Sequence, residues 1–250
     1  MSRFIAALLL LPLAWGQRLE FEVASINPSR LQEGPVRAGC FGGPPIDPTL
    51  VRCSNYDLRN FVMEAWGLAS WEYKGLDWMA DTKFDIVAKI PPGTMREQYR
   101  QMFQTLYEQR FHLTYHRAST QVDGYELVLA RGQSKAAGAI PKGFPDPPRR
   151  GVSQNGPRRV MRYDGVTMAE IAQRLGFQLR APMVDATGLE GTRDLLLYWV
   201  VDSPAPGDED LGGPSFKEAV RSQLGWRLEP RKVDISVFVV DHMDRIPTEN

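Results

Sequence analysis

The stretch RRVMRYDGVTMAEIAQRLG (158–176) decides the fold, because it joins a predicted strand directly to a predicted helix. Its first nine residues suggest a strand. Thr167 followed by Glu170 then forms a capping box, in which each side chain satisfies a free backbone amide at the start of a helix. The order continues with a buried strand (TRDLLLYWVV, 192–201), a second capped helix (SFKEAVRSQLG, 215–225) and a closing strand (KVDISVFVVDHM, 232–243).

The first half of the chain repeats this order. The stripe Leu58, Phe61, Val62 and Ala65 has the i, i+3, i+4, i+7 spacing of a helix that packs on one face. The same phases recur 110 residues later, at Met168, Ile171, Ala172 and Leu175. KFDIVAKI (83–90) parallels 192–201 as a strand, and Thr94 with Glu97 and Ser215 with Glu218 predict further capping boxes.

Each half is predicted to end in a hairpin, FHLTYHRAS with YELVLA (111–130) and WRLEPRKV with DISVFVV (226–240). An earlier strand is predicted over LEFEVASINPS (19–29), with Phe21 and Val23 on one face. The sequence therefore predicts an α+β fold of two tandem β-α-β-α-β-β units, each with two helices on a mostly antiparallel sheet. At the level of architecture this order resembles the short N-terminal domain of secretins and TonB-dependent receptors, a periplasmic protein-contact module.

Four segments follow from these patterns: a signal peptide (1–16), a first unit with an N-terminal strand and a disulfide loop (17–130), a basic linker rich in proline and glycine (131–157), and a second unit (158–250). The signal has Arg3, an apolar run and small residues before Gln17, so we expect cleavage after Gly16 and a periplasmic or secreted protein. The apolar run is about half of what a membrane span needs, and no later span is expected. The 30 basic and 30 acidic residues argue against a nucleic-acid partner.

Cys40 and Cys53 flank glycine and proline turns in CFGGPPIDPTLVRC (40–53). In an oxidising compartment this spacing favours a disulfide between them. The alternative is two separately buried thiols. A zinc site is not expected, because no histidine or third cysteine lies nearby in sequence.

The histidines do not indicate a metal or catalytic site. His112 and His116 lie on an alternating segment, and on a strand their spacing separates them by about 13 Å. Asp241 and His242 are the most credible acid/base pair, but no serine lies in a strained nucleophile turn. We therefore predict no catalytic residue, no metal ligand and no cofactor.

Two aspartates, Asp81 and Asp185, occupy matching places in the two halves. An aspartic protease needs Asp-Thr-Gly or Asp-Ser-Gly in each half, and neither segment has that motif. Roles in turns or caps are enough to explain both residues.

Aromatic residues are concentrated after the first helix, at Trp66, Trp71, Tyr73, Trp78 and Phe84. Exposed aromatic rings in a loop can stack on a ligand or on a partner's side chains. We predict such contacts for Trp66, Trp71 and Tyr73. The alternative is that these rings cover the core of a small sheet.

Five segments in order resemble the Solibacter paralogous family of exported acidobacterial proteins. They are EFEVASINPS (20–29), the Gly-Gly-Pro turn between the cysteines, GLDWMADTKFDIVAKIP (75–91), MVDATGLEGTRDLLLYWVVD (183–202) and VFVVDHMDRIPTEN (237–250). The resemblance implies a domain of unknown function. Related domains are attached to membrane metallopeptidases of the BlaR1 type, which implies a sensor or partner-contact role outside the membrane.

The resulting expectation is an exported, non-enzymatic binding or protein-interaction module whose ligand is a protein or a small molecule. The alternative is a hydrolase that acts in a cleft between the units, with Asp241 and His242 as acid and base.

Overall fold

The computed structural model describes residues 19–30, 38–130, 140–201 and 212–248. In these ranges the chain forms four helices and three small, mostly antiparallel sheets, so the predicted α+β class is confirmed. The chain divides into two compact units. Unit 1 contains the described residues up to Leu68, together with Tyr73–His116 and those from Phe238 onward. Unit 2 contains Ala69–Glu72 and the described part of Arg117–Val237.

Unit 1 contains β1 (Val23–Pro28), β2 (Gly39–Gly43), β3 (Asp47–Asp57), α1 (Leu58–Trp66), β4 (Tyr73–Lys74), a 3₁₀ helix (Asp77–Ala80), β5 (Lys83–Lys89) and α2 (Arg96–Arg110). The start of β6 (Thr114–Leu129) and the end of β11 (Trp226–His242) also belong to this unit. Four of the strands form a sheet with the order β1-β5-β3-β2, in which every pairing is antiparallel.

The core of unit 1 contains apolar side chains from both α1 and β5. The predicted stripe of α1 is fully buried, and Phe84, Ile86 and Ala88 of β5 are buried on the facing side of the sheet. Asp57 caps α1 by accepting the amide of Asn60 at 2.9 Å. These elements confirm the helix and strand predicted for this region.

Cys40 and Cys53 form a disulfide, as predicted, with the two sulfur atoms 2.06 Å apart. The two residues are register partners across the antiparallel pair of β2 and β3. The disulfide therefore joins neighbouring strands at the edge of the sheet.

Two predictions for unit 1 are wrong in detail. Phe21 packs against the core but Val23 is 65% exposed, so the two residues do not share a face as predicted, and the buried residue of β1 is Ile26. The helix α2 does not use Thr94 and Glu97 as a capping box. Instead, the amide of Met95 donates to Oε1 of Gln98 at 2.8 Å, because the helix begins one residue later than predicted.

Unit 2 contains a 3₁₀ helix (Ser70–Glu72), most of β6, β7 (Gly151–Asn155), β8 (Arg158–Thr167), α3 (Met168–Leu179), β9 (Met183–Asp185), β10 (Thr192–Val200), α4 (Phe216–Leu224) and most of β11. Three of these strands form an antiparallel sheet with the order β10-β8-β7. β9 pairs with β6 in parallel.

Both helices of unit 2 begin as predicted. Thr167 and Glu170 form a complete capping box at α3, and Ser215 accepts the amide of Glu218 at α4. The predicted apolar stripe of α3, from Met168 to Leu175, is buried. The strand predicted at 192–201 is β10, in which Leu195, Leu197 and Trp199 point into the core.

Neither predicted hairpin exists. β6 and β11 are single strands of 16 and 17 residues, and each carries the chain from one unit to the other. Another part of the chain passes close to β6 at Gly124. A Cβ atom there would lie 2.6 Å from the carbonyl oxygen of Pro182, so the glycine permits a close passage of the chain beside the strand.

The third sheet has the order β4-β11-β6-β9.

The predicted signal peptide (1–16) lies outside the described residues. The range 131–157, predicted as a linker, contains β7 in its described part. No helix within the described ranges combines the length and the apolar character needed to cross a membrane.

Candidate functional site

An open cavity of about 380 Å³ lies in unit 2 and contains one of the predicted contact residues, Trp71. Four short segments supply its walls. They are the 3₁₀ helix with the preceding residue (Ala69, Trp71, Glu72), the first turns of α3 (Ala169, Glu170, Gln173), β9 with the residue before it (Pro182, Met183, Val184), and three residues of β11 (Val233, Asp234, Ile235).

Local contacts hold Trp71 in place. The amide of Ala69 donates to Oε2 of Glu72 at 2.9 Å, which closes the 3₁₀ turn around the tryptophan. The indole ring contacts the ring of Phe177, with 5.3 Å between the centroids. Phe177 is 47% exposed, so this aromatic pair lies at the surface of unit 2.

The apolar wall depends on close packing between α3 and β9. A Cβ atom on Gly176 would lie 2.7 Å from the carbonyl oxygen of Ala181 and 3.3 Å from Cβ of Met183. Glycine at this position lets the helix approach the strand and fixes Met183 beside the cavity. Val184 on the same strand remains 38% exposed.

Three carboxylates, from Glu72, Glu170 and Asp234, also line the cavity. The amide and hydroxyl of Thr167 donate to Glu170 and lower its pKa, so this group is ionised at neutral pH. Among the described lining residues there is no lysine, arginine or histidine. Gln173 adds a neutral amide, and the cavity therefore combines an indole, aliphatic walls and negative charge.

The other two predicted contact residues belong to unit 1. Trp66 packs against Tyr115 and Phe238, with ring centroids 5.3 and 5.1 Å apart. Tyr73 donates its hydroxyl to the sulfur of Met79 at 3.3 Å, and burial raises its pKa to about 12. Both rings pack on the core, which is the alternative considered above for the aromatic cluster.

In unit 1, each of the three histidines lies within hydrogen-bond distance of an aspartate, either Asp241 or Asp244. Nδ1 of His112 lies 2.7 Å from Asp244, and Nε2 of His242 lies 3.0 Å from the other oxygen of the same carboxylate. Nδ1 of His116 lies 2.8 Å from Asp241. The bond from His112, and after it the bond from His242, lowers the pKa of Asp244.

Asp241 and His242, the acid and base of the hydrolase alternative, therefore bind different partners. Adjacent residues of a strand point to opposite faces, so Asp241 contacts His116 and His242 contacts Asp244. His112 is also not on a strand. It has a φ of 48° and lies between α2 and β6. The described residues contain no group of three or more side chains placed to hold a metal ion.

The two matched aspartates have structural positions. Oδ1 of Asp185 accepts the amide and the hydroxyl of Thr187 at 2.9 and 2.7 Å, which forms a turn after β9. Asp81 ends the 3₁₀ helix Asp77–Ala80.

Sequence reasoning found Trp71 but missed the rest of the cavity. Its walls come from residues up to 166 positions apart in sequence, from Ala69 to Ile235, and none of the segments has a motif of its own. The sequence HMD (242–244) was the only local signal for the histidine cluster.

The comparison with protein-family models gives one match, over residues 59–243, which is more than half of the 250-residue chain. No curated protein and no solved structure matches the chain. The matched range includes all of α3, all of α1 except its first residue, and every residue that lines the cavity. The chain therefore belongs to the family described as a protein of unknown function, DUF3738.

Proposed function

We propose that this protein is an exported binding module that contacts a partner protein through the unit 2 cavity. The observation that carries the proposal is the half-buried indole of Trp71 in an open cavity of about 380 Å³. This volume is in the range of known ligand sites, and such sites are mostly apolar with a few placed polar groups.

The fixed position of the Trp71 side chain supports the same proposal. Trp71 is held by the turn that Glu72 closes and by contact with Phe177, so binding has little side-chain freedom to remove. Tryptophan is also strongly enriched among residues that dominate binding energy at interfaces.

The proposal extends to the origin of the fold. The buried stripes of α1 and α3, which follow β3 and β8, support a duplication of one strand-helix-strand-helix order that resembles the short N-terminal domain of secretins and TonB-dependent receptors. In each copy a single long strand, β6 or β11, takes the place of the predicted closing hairpin. Membership of the matched family is compatible with the Solibacter paralogous family and with a sensor role beside a BlaR1-type partner. The disulfide supports an oxidising compartment outside the cytoplasm.

The test is a cross-linking experiment on the full chain, exported in a related host. Trp71→Ala and Val184→Ala should each reduce the yield of one defined cross-linked complex. Val152→Ala is the matched control, because this valine is 39% exposed in the same unit but does not line the cavity. Equal yields for all three variants would show that the cavity is not the contact site.

A hydrolase is the second candidate, and the pair of His116 with Asp241 favours it. A carboxylate 2.8 Å from Nδ1 can orient an imidazole whose Nε2 then acts as a general base. If an activity is measured, His116→Ala should abolish it, whereas Arg117→Ala beside it should not. An activity that survives His116→Ala would exclude this mechanism.

A further inference from the structure

We infer that the unit 2 cavity takes a basic side chain, lysine or arginine, from the partner protein. The inference rests on the proposed function and adds the chemistry of the group that is bound.

The side chains that line the cavity carry negative charge. Glu72, Glu170 and Asp234 line it, and the two cations that precede Asp234 in β11 pair with other carboxylates. Arg231 pairs with Glu126 and Lys232 pairs with Asp123, each at 2.8 Å. Neither of these two cations therefore pairs with Asp234.

Among the described residues, Glu170 is the lining carboxylate that has an ion pair within 4 Å. Arg174 lies 3.6 Å from it, but the guanidinium of Arg174 also lies over the ring of Tyr163, 4.4 Å from the centroid. The charge of Glu170 is therefore partly compensated, and the charges of Glu72 and Asp234 dominate the field in the cavity.

The shape of a basic side chain matches the other walls. Lysine and arginine have an aliphatic stem that packs on apolar surface and a charged end that stays polar. Met183, Val184 and the indole of Trp71 can receive the stem, and the face of an indole also attracts a cation.

The openness of the cavity indicates that the cation comes from a polypeptide. Val184 and Phe177 are 38% and 47% exposed, so a free amine in the cavity would keep much of its surface in water. A side chain on a partner gains further contacts beyond the rim, which offset the entropy lost on association.

The experiment titrates the full chain with three blocked pentapeptides that differ only at the central residue, which is lysine, norleucine or glutamate. The readout is the indole N–H signal of Trp71 in a nitrogen-correlated NMR spectrum, assigned with Trp71→Phe. We expect the lysine peptide to bind about fivefold or more tightly than the norleucine peptide, and the glutamate peptide to leave the signal unchanged. Added salt should weaken only the lysine peptide.

Two variants test the carboxylates. Glu72→Gln retains the acceptor for the amide of Ala69, and Asp234→Asn preserves side-chain size. Each should lower the affinity for the lysine peptide about threefold to tenfold and leave norleucine binding unchanged. Asp164→Asn, on the same unit but away from the cavity, is the control and should change neither affinity.

Equal binding of the lysine and norleucine peptides, or no peptide-induced change at Trp71, would overturn the inference. Hexylammonium that binds as tightly as the lysine peptide would also overturn it, because the ligand would then be a free amine. The proposed function fails separately, if Trp71→Ala leaves the cross-linked complex intact.

Discussion

Gln223 is a buried polar residue of α4 that completes the open edge of β10. The amide of Tyr198 donates to its Oε1 at 3.0 Å, and its Nε2 donates to the carbonyl of Tyr198 at 2.7 Å. The side-chain amide thus takes the place of a neighbouring strand. This satisfies two backbone groups of Tyr198 that would otherwise lose water without gaining a partner.

Gln223→Met should destabilise unit 2, because methionine has similar length but forms neither hydrogen bond. Each buried group without a partner costs about 1–3 kcal/mol, so we expect a loss of about 2 kcal/mol or more in the free energy of unfolding. The measurement is urea denaturation followed by tryptophan fluorescence. Gln154→Met, at an exposed position of β7, is the control, and an equal effect of both variants would contradict this role.

The raised pKa of Tyr73 predicts that the free energy of unfolding depends on pH. Burial raises its pKa from 10 to about 12, so the folded state holds the phenol proton more tightly than the unfolded state does. The stabilisation is complete below pH 10 and is lost as the pH rises towards 12. Tyr73→Phe should therefore flatten the decline in unfolding free energy over this range. Part of the decline should remain, because burial also raises the pKa of Tyr56 to about 12; an unchanged slope would contradict the assignment.

At the scale of the element, α3 depends on its first turn. Thr167→Ala removes the hydroxyl of the capping box and should reduce stability by about 1 kcal/mol, measured by urea denaturation. Thr94→Ala is a useful contrast, because this threonine precedes α2 without capping it and donates to the carbonyl of Pro91 instead. A larger loss from Thr94→Ala would mean that the helix starts are wrongly assigned.

The β2–β3 pair depends on its disulfide. Replacing Cys40 and Cys53 by alanine opens a loop with a sequence separation of 13 residues, and the expected loss is about 3 kcal/mol. Hydrogen exchange should increase in β2 and β3 and stay unchanged in β8 of unit 2. Equal loss of protection in both units would mean that the disulfide stabilises more than its own sheet.

At the scale of the whole molecule, the two units share the chain in an interleaved order. Phe238, Val240 and Met243 belong to the core of unit 1, although they follow all of unit 2 in sequence. A chain that ends at Val237 should therefore lose protection from hydrogen exchange in α1, since each large core side chain contributes about 3 kcal/mol or more. A chain that ends at Asp244 retains these residues and is the control. Protection of α1 in both chains would contradict the division.

Much of this protein is determined by sequence over short distances. The buried stripes of α1 and α3, the caps at Thr167 and Ser215, the strands β5 and β10 and the disulfide were all predictable. Apolar period, capping chemistry and cysteine spacing each act within about a dozen residues, and local physical rules are sufficient there.

Only the tertiary structure decided the continuity of β6 and β11, the pairing of the histidines with Asp241 and Asp244, and the cavity around Trp71. His112 and Asp244 are 132 residues apart, and no period in the sequence relates such positions. Their contact depends on which arrangement of the whole chain buries the most apolar surface with its polar groups satisfied. That balance is a property of the complete fold, and it cannot be evaluated from any one segment.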